Sequence, residues 1–253
     1  MTIAITGSAS GIGAATAAAL AAAGHDIIGV DLHDAEVTAD LAVPEGCAAA
    51  VDGVLERCGG VLDGAVLCAG VGPHTPDPVR LIDINYRAAV AVLDGLLPAL
   101  RKGESPAAVV VSSIASTQVR WAENPLAADA DRAALEKALE PAGDYAGHLA
   151  YAWSKNALTV AVRQRAVDWA AAGVRLNTVA PGPVDTPLMR SGLDDPRYGD
   201  LIRNFTSPIP RMAEPGEIAS LIAYLLGPQA TYIHGAQFVI DGGIDAQGRP
   251  TVF

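Results

Sequence analysis

No lysine or arginine precedes Arg57, and over all 253 residues 17 basic side chains face 28 acidic ones, for a net charge of −11. A chain so poor in positive charge does not hold nucleic acid or an anionic membrane by general electrostatics. Cysteine is nearly absent too. Cys47, Cys58 and Cys68 are an odd set without a C-x-x-C pair, so neither a disulfide framework nor a zinc site is expected, and no metal is called for. No apolar run is long enough to span a bilayer, and the N-terminus lacks the basic region of a secretory signal. The expectation is a cytoplasmic protein with reduced thiols and no membrane span. What the chain does have is apolar bulk. At 51% hydrophobic residues it can bury one large core, which predicts a single domain over residues 1–253.

The first chemically suggestive stretch is Ile3-Ala4-Ile5, a short buried-strand pattern, followed by Thr6-Gly7-Ser8-Ala9-Ser10-Gly11-Ile12-Gly13 and an alanine-rich helix pattern that Gly24 closes. A strand, a glycine turn and a helix leave unpaired N–H groups at a positive helix end, where a pyrophosphate fits. The second strand, Asp26 to Asp31, ends in a carboxylate. An acid at that spacing accepts hydrogen bonds from an adenosine ribose and repels a 2′-phosphate, so NAD is favoured over NADP. Asp40-Leu41, ahead of an amphipathic helix with Val51, Val54 and Leu55 as its stripe, lies where an adenine ring would pass; a helix-entry role fits its spacing equally well.

Further strands are expected at Leu62–Cys68, Ala107–Val111, 174–179 and Gln237–Ile240, alternating with helices. That alternation predicts an α/β fold: a doubly wound, mostly parallel sheet with helices on both faces. Ligands of such sheets bind at the carboxyl edge. The strand ends there deliver Ala69-Gly70 and the pair Ser112-Ser113, which spacing does not separate. A helix over 81–100 carries Asn85, an amide needing a polar partner if it is inside.

Tyr151-Ala152-Trp153-Ser154-Lys155 opens another helix. A four-residue step places the phenol and the ammonium on one face. A positive charge about 4 Å away could bring a tyrosine pKa down by two to three units, toward the range useful for proton transfer. Ahead of it, residues 117–147 read as an insertion with one helix over 129–140 that pairs Leu135 with Leu139. His148, three residues before Tyr151, could border the substrate, with a surface or capping role the stronger expectation. Beyond the prolines and glycine of Pro181–Pro187, residues 188–212 mix Leu188, Met189, Ile202, Phe205, Ile209 and Met212 with charges and breakers, as a lid over a substrate would.

Taken together, Thr6-Gly7-x-x-x-Gly11-Ile12-Gly13, Cys68-Ala69-Gly70, Asn85, Ser113, Tyr151-x-x-x-Lys155, Pro181-Gly182 with Thr186, and Asp241-Gly242-Gly243 resemble the short-chain dehydrogenase/reductase family. The resemblance covers nearly the whole chain. It implies a Rossmann fold of about seven strands and an NAD-dependent interconversion of a secondary alcohol and a ketone. By the same resemblance, Ser113 holds the substrate oxygen, Tyr151 is the acid/base, Lys155 binds the nicotinamide ribose and lowers the phenol's pKa, and Asn85 holds a relay water. Gly7, Ser10, Gly11, Ile12 and Gly13 would face the pyrophosphate, Asp31 the ribose, and Asp40 and Leu41 the adenine. Ala69 and Gly70 would border the coenzyme, with Gly182, Val184 and Thr186 toward its carboxamide, and Leu188 and Met189 would touch substrate. Two departures stand out: Leu67-Cys68 replaces the family's usual pair of asparagines, and Ser113 lies 38 residues before Tyr151, an unusually wide gap. The insertion, Asp40-Leu41 and the Asp241–Ala246 ending resemble the steroid-oxidising branch of the family and imply a small apolar, steroid-like substrate and carbonyl reduction. Relatives associate through the helices bearing Asn85 and Tyr151, so an insertion beside the second predicts a homodimer. A nucleotide-sugar epimerase and a non-catalytic dinucleotide sensor are the competing readings.

Overall fold

Ile3 and Ile5 point to one side of the first strand and Ala4 to the other, and all three are buried. A strand covered on both faces belongs inside a parallel sheet. The computed structural model describes residues 1–204 and 207–252, so Phe205 lies outside the described residues. In chain order the structure runs β1 (Thr2–Thr6), α1 (Gly11–Ala22), β2 (Asp26–Asp31), β3 (Val37–Thr38), α2 (Pro44–Arg57), β4 (Gly64–Leu67), α3 (Pro78–Ile82), α4 (Ala89–Leu100), β5 (Ala107–Val111), α5 (Arg132–Leu139), α6 (Ala146–Ala171), β6 (Arg175–Pro181), α7 (Pro187–Leu193), α8 (Gly199–Asn204), α9 (Pro215–Leu226), β7 (Gln237–Ile240) and α10 (Ile244–Gly248). The seven strands form one sheet in the order β3-β2-β1-β4-β5-β6-β7, and every pairing is parallel.

Alternate residues of the strands feed two cores. Ala4, Ile28, Val30, Leu67, Ala108 and Val110 meet α2, α4 and α6 on one face. Ile3, Ile5, Val66, Val109 and Val111 meet Leu20 of α1 and Ile218, Ile222 and Leu225 of α9 on the other. The sequence explains the ends of these helices. Asp77 caps α3 by accepting from Val79 and Arg80 N–H at 3.0 and 3.1 Å, and the Glu214 N–H donates to the Glu217 carboxylate at 2.8 Å ahead of α9.

Three departures from the periodicity reading have physical causes. The edge strand β3, two residues long, is too short to show alternation. The helix expected over 81–100 starts at Pro78 and contains a π-turn over Asp83–Ala88, so its hydrogen-bonding register shifts where Asn85 sits. The insertion's helix is shorter than 129–140, because Asp129 is left-handed (φ 50°) and Asp131 supplies the cap.

The insertion is also no surface appendage. Leu126, Leu135 and Leu139 join Val79, Leu81, Ile82, Ala150 and Trp153 in a third apolar cluster. Asn124, buried at 3% exposure, stitches it in: its amide donates to Trp153 O at 2.9 Å and to Asn156 Oδ1 at 3.1 Å and accepts from Leu126 N–H at 3.0 Å. Arg132 pairs with Asp77 at 2.8 Å. The insertion ends in a turn kinked at Gly143 (φ 50°), after which α6 begins at Ala146 and places Tyr151 in the second turn of a 26-residue helix.

Candidate active site

The carboxyl edge of the sheet gathers the residues singled out in the sequence, beginning with the turn after β1. Gly7 and Gly11 have φ of 69° and 53°, the left-handed region that glycine tolerates. A Cβ on Gly13 would lie 2.0 Å from Gly7 O, so α1 rests directly on the turn. The Ser10 hydroxyl makes no cap bond, and the first main-chain bond of the helix runs from Ala14 N–H to Ser10 O at 3.0 Å. The N–H groups of Gly11, Ile12 and Gly13 in the helix's first turn are thus left for an anion, and the cradle fits a pyrophosphate. At the end of β2 the Asp31 carboxylate accepts from Ala9 N–H at 2.9 Å and Leu32 N–H at 2.7 Å, which ties it to the glycine turn with lone pairs to spare. Asp40 accepts from Ala42 N–H at 2.9 Å in an exposed turn, and Leu41 packs partly against the core. None of Asp31, Asp40 and Leu41 lines the cavity that holds the phenol.

At the end of β4, Ala69 N–H donates to Thr6 Oγ1 at 3.1 Å, so a threonine hydroxyl makes the contact that Leu67-Cys68 cannot. Burial pushes the Cys68 thiol up to about 12, against the opposing pull of the Lys155 ammonium. It is an inert packing group there. Across the sheet, a Cβ on Gly182 would meet Asp241 Cα at 2.8 Å. Val184 pairs with Ala213 as an isolated parallel bridge. Thr186 caps α7, its hydroxyl accepting from Met189 N–H at 3.2 Å and donating to Val184 O at 3.3 Å.

Between these walls opens a cavity of about 440 Å³ lined by Ile12, Gly70, Ser113, Tyr151, Lys155, Gly182, Val184, Thr186, Leu188 and Met189 among others. Ser112 and Ser113 now separate. The Ser112 hydroxyl is buried, donating to Lys155 O at 3.0 Å and sharing a bond with Thr159 Oγ1 at 2.8 Å. Ser113 accepts from Ala115 N–H at 3.2 Å and turns its O–H toward the Tyr151 phenol. Asn85, fully buried, accepts from Val71 N–H at 2.8 Å and donates to Val71 O at 2.9 Å. One N–H and one lone pair of its amide are therefore used by the turn after β4.

The electrostatics differ from the simple helical-spacing argument. Burial raises the Tyr151 phenol above its ordinary pKa, opposed by a hydrogen bond with the Ser113 hydroxyl. The Lys155 ammonium lies 5.9 Å from the ring centroid and donates to Val111 O at 3.0 Å. Burial brings the lysine itself down to about 8. In the chain alone the phenol is protonated at neutral pH, as a general acid must be.

The other half of the cavity was only partly visible in the sequence. Leu188, Met189 and Gly192 of α7, and Tyr198 and Ile202 at α8, form one wall. Exposed Ile209 instead lies against Gly242, to whose carbonyl its N–H donates at 3.0 Å. His148 is exposed, as expected, and also lines the cavity, the other role open to its position, bonding Gln118 Oε1 at 3.1 Å. Though over a third of its surface is open, the adjoining walls hold its pKa below the usual imidazole value. His74, Gln118 and Tyr145 were missed. Their only signal was position, His74 on the loop after β4 and the other two in the insertion. Among the described residues no group of acidic, histidine or cysteine side chains could hold a metal ion, and no helix is long and apolar enough to cross a membrane.

This sheet order with its glycine turn, and a Ser-Tyr-Lys set at the carboxyl edge, define a nicotinamide-dinucleotide oxidoreductase, and the chain belongs to the short-chain dehydrogenase/reductase family. Residues 1–126 match the family model described as short chain dehydrogenase, and residues 142–245 one described as enoyl-(acyl carrier protein) reductase. Over 254 aligned residues, 99% of each chain, it is 55% identical to the 3-alpha-hydroxysteroid dehydrogenase/carbonyl reductase of Comamonas testosteroni. It is 31% identical to a coniferyl-alcohol dehydrogenase of a Pseudomonas strain, over 96% of this chain and 95% of the relative. Among solved structures, the 3-alpha-hydroxysteroid dehydrogenase of Pseudomonas sp. B-0831 complexed with NADH superposes with a TM-score of 0.90 at 49% identity, covering all of both chains.

Proposed function

We propose that the enzyme oxidises a 3α-hydroxyl of a steroid with NAD and, in reverse, reduces steroid and other apolar ketones. The observation that carries this reading is the 55% identity, over essentially the full length, to the Comamonas enzyme of that name. The largely apolar lining of the cavity supports it, since a fused hydrocarbon ring system needs such walls. Asp31 supports NAD over NADP, because its carboxylate stands where a 2′-phosphate would have to sit and no lysine or arginine precedes Arg57.

In this reading the coenzyme accepts or returns the hydride. The Ser113 hydroxyl donates to the substrate oxygen and fixes it against Tyr151. The phenolate of Tyr151 takes the alcohol proton during oxidation, and the phenol returns it during reduction. Lys155 holds the coenzyme's ribose, and Asn85 holds the water that carries the proton onward. Because burial raises the phenol's pKa, oxidation accelerates as pH rises through the alkaline range, while reduction holds at neutral pH and declines only above it. The α7–α8 segment serves as the substrate's cover. The enzyme acts in the cytoplasm as a homodimer, a reading supported by the insertion lying over α3 and α6.

A panel of 3α- and 3β-hydroxysteroids with NAD and NADP, followed by NADH absorbance, tests the activity. Turnover restricted to 3α-hydroxyls with NAD is expected, and 3β selectivity or no steroid turnover refutes it. Light scattering of the intact chain tests the assembly, with a tetramer counting against the dimer.

A further inference from the structure

The polar side chains of the substrate half divide into those already engaged and those open to a ligand. The Tyr198 hydroxyl donates to Asp144 O at 2.9 Å, and Ser113 and Tyr151 belong to the reacting end. Gln118 and His148 are both exposed and both line the cavity. Open to solvent and on the cavity wall, they are within reach of a bound molecule. Among the described residues their side chains bond only each other, His148 Nε2 to Gln118 Oε1 at 3.1 Å. An amide oxygen can only accept, so the histidine supplies the hydrogen, and both N–H bonds of the Gln118 amide are left for water or a ligand.

The amide is also held in place. The Asn156 amide of α6 donates to Ser116 O at 2.9 Å and to Val119 O at 3.0 Å, so the main chain is tied to the catalytic helix on both sides of Gln118. Gln118 N–H closes the preceding turn on Ala115 O at 3.2 Å. The amide oxygen is held from the same helix, by His148 three residues before Tyr151. Three residues advance a helix by about 4.5 Å, so this anchor on α6 lies less than one turn from the phenol. A donor fixed in a largely apolar wall is how a pocket selects one apolar molecule over another.

We propose that Gln118 is a specificity-determining residue whose amide N–H donates to a second oxygen of the substrate, a keto or hydroxyl group apart from the carbon that gives up hydride, and that His148 is a positioning residue that keeps the amide nitrogen turned to that oxygen. The inference deepens the steroid reading and rests on it for the ring system, while the hydrogen bond itself can be read without turnover. Keto and hydroxyl oxygens both accept, so either serves. The amide exchanges water for the substrate's oxygen, and the gain is the modest one of an exposed hydrogen bond.

The test uses a 3α-hydroxysteroid with no other polar group and a series carrying one keto oxygen at successive ring positions. Wild type, Gln118→Glu, His148→Phe, His148→Gln and Tyr145→Phe are compared by steady-state kinetics and by calorimetric titration of the NADH-loaded enzyme. Wild type should favour one keto position over the parent steroid about three- to tenfold in KM and in affinity. Gln118→Glu keeps the acceptor for His148 and loses the donor, so it should erase that preference, with the loss in KM rather than kcat. His148→Phe should erase most of it, and His148→Gln, whose N–H reaches the place of Nε2, should restore it. Tyr145→Phe, which removes the hydroxyl of an exposed tyrosine on the same wall, should leave it unchanged. A wild type with no preference, an unchanged preference in Gln118→Glu, or its loss in Tyr145→Phe overturns the proposal, and full preference in His148→Phe overturns the positioning role. Absence of steroid binding defeats this proposal and the steroid reading together. Binding with the expected preference but no steroid turnover would sink the proposed reaction and leave Gln118 standing.

Discussion

The two halves of the cavity are built by different means. The half proposed for the coenzyme is shaped by main chain: the turn of Gly7, Gly11 and Gly13 that brings Ile12 to the cavity, Gly182 against Asp241, and Val184 in a bridge to Ala213. The substrate half is made of side chains from three segments far apart in sequence: the loop of His74, the insertion with Gln118 and Tyr145 followed at once by His148, and the α7–α8 wall. A coenzyme common to many reactions can be gripped by local geometry that tolerates no change. A substrate particular to one enzyme is gripped by surfaces that can be exchanged.

The largest expected break comes where the two halves meet. Tyr151→Phe should lower turnover on the order of 10⁴-fold in either direction, with NADH affinity by fluorescence titration changing less than about twofold. Inside the coenzyme half, Gly13→Ala places a methyl 2.0 Å from Gly7 O. Overpacking of that severity costs about 3 kcal/mol and should weaken NADH binding roughly 100-fold; unchanged binding would mean that the turn is softer than its contacts imply.

Lys155 sharpens the comparison through stability. Its folded pKa of about 8 lies below the ordinary lysine value of 10.5, so between those limits the unfolded chain binds more protons and the lysine makes stability rise with pH. Over that window the gain is up to about 3 kcal/mol. Urea denaturation at pH 7.5 and 10 should show wild type gaining stability relative to Lys155→Met; parallel behaviour of the two would place the ammonium in a wetter setting.

On the substrate side, Asn124→Ala removes three buried hydrogen bonds and should cost about 2 kcal/mol, raising KM for steroid while KM for NAD stays within error. Equal damage to both constants would erase the distinction between the halves. The smallest effect is expected from Asp31→Ala, a shift of about tenfold in the NADP-to-NAD ratio of kcat/KM, since no cation is added to attract a phosphate.

This division also governs what could be read from the sequence. The coenzyme half is local: the glycine turn, the acid ending β2 and the small residues after β4 are each stamped by spacing and residue type. Six of the seven strands announce themselves as apolar runs, and only β3, paired through Val37 and Thr38, is too brief to do so. The substrate half depends on contacts between distant residues. Nothing in the spacing marks Asn124 as the insertion's buried anchor, separates Ser112 from Ser113, or reveals that the Asn85 amide bonds Val71. The raised phenol escaped as well, because helical spacing fixes which face two side chains share, whereas the pKa follows from how deeply they lie and where the ammonium turns.

The insertion's third core has a further consequence. One stretch of chain contributes Tyr145 to the mouth of the cavity, seals Trp153 on the back of the catalytic helix, and extends over the outer side of α3. Remodelling that stretch to admit a bulkier alcohol therefore also disturbs the packing behind the helix that carries Tyr151, so cavity shape and the seating of that helix change together.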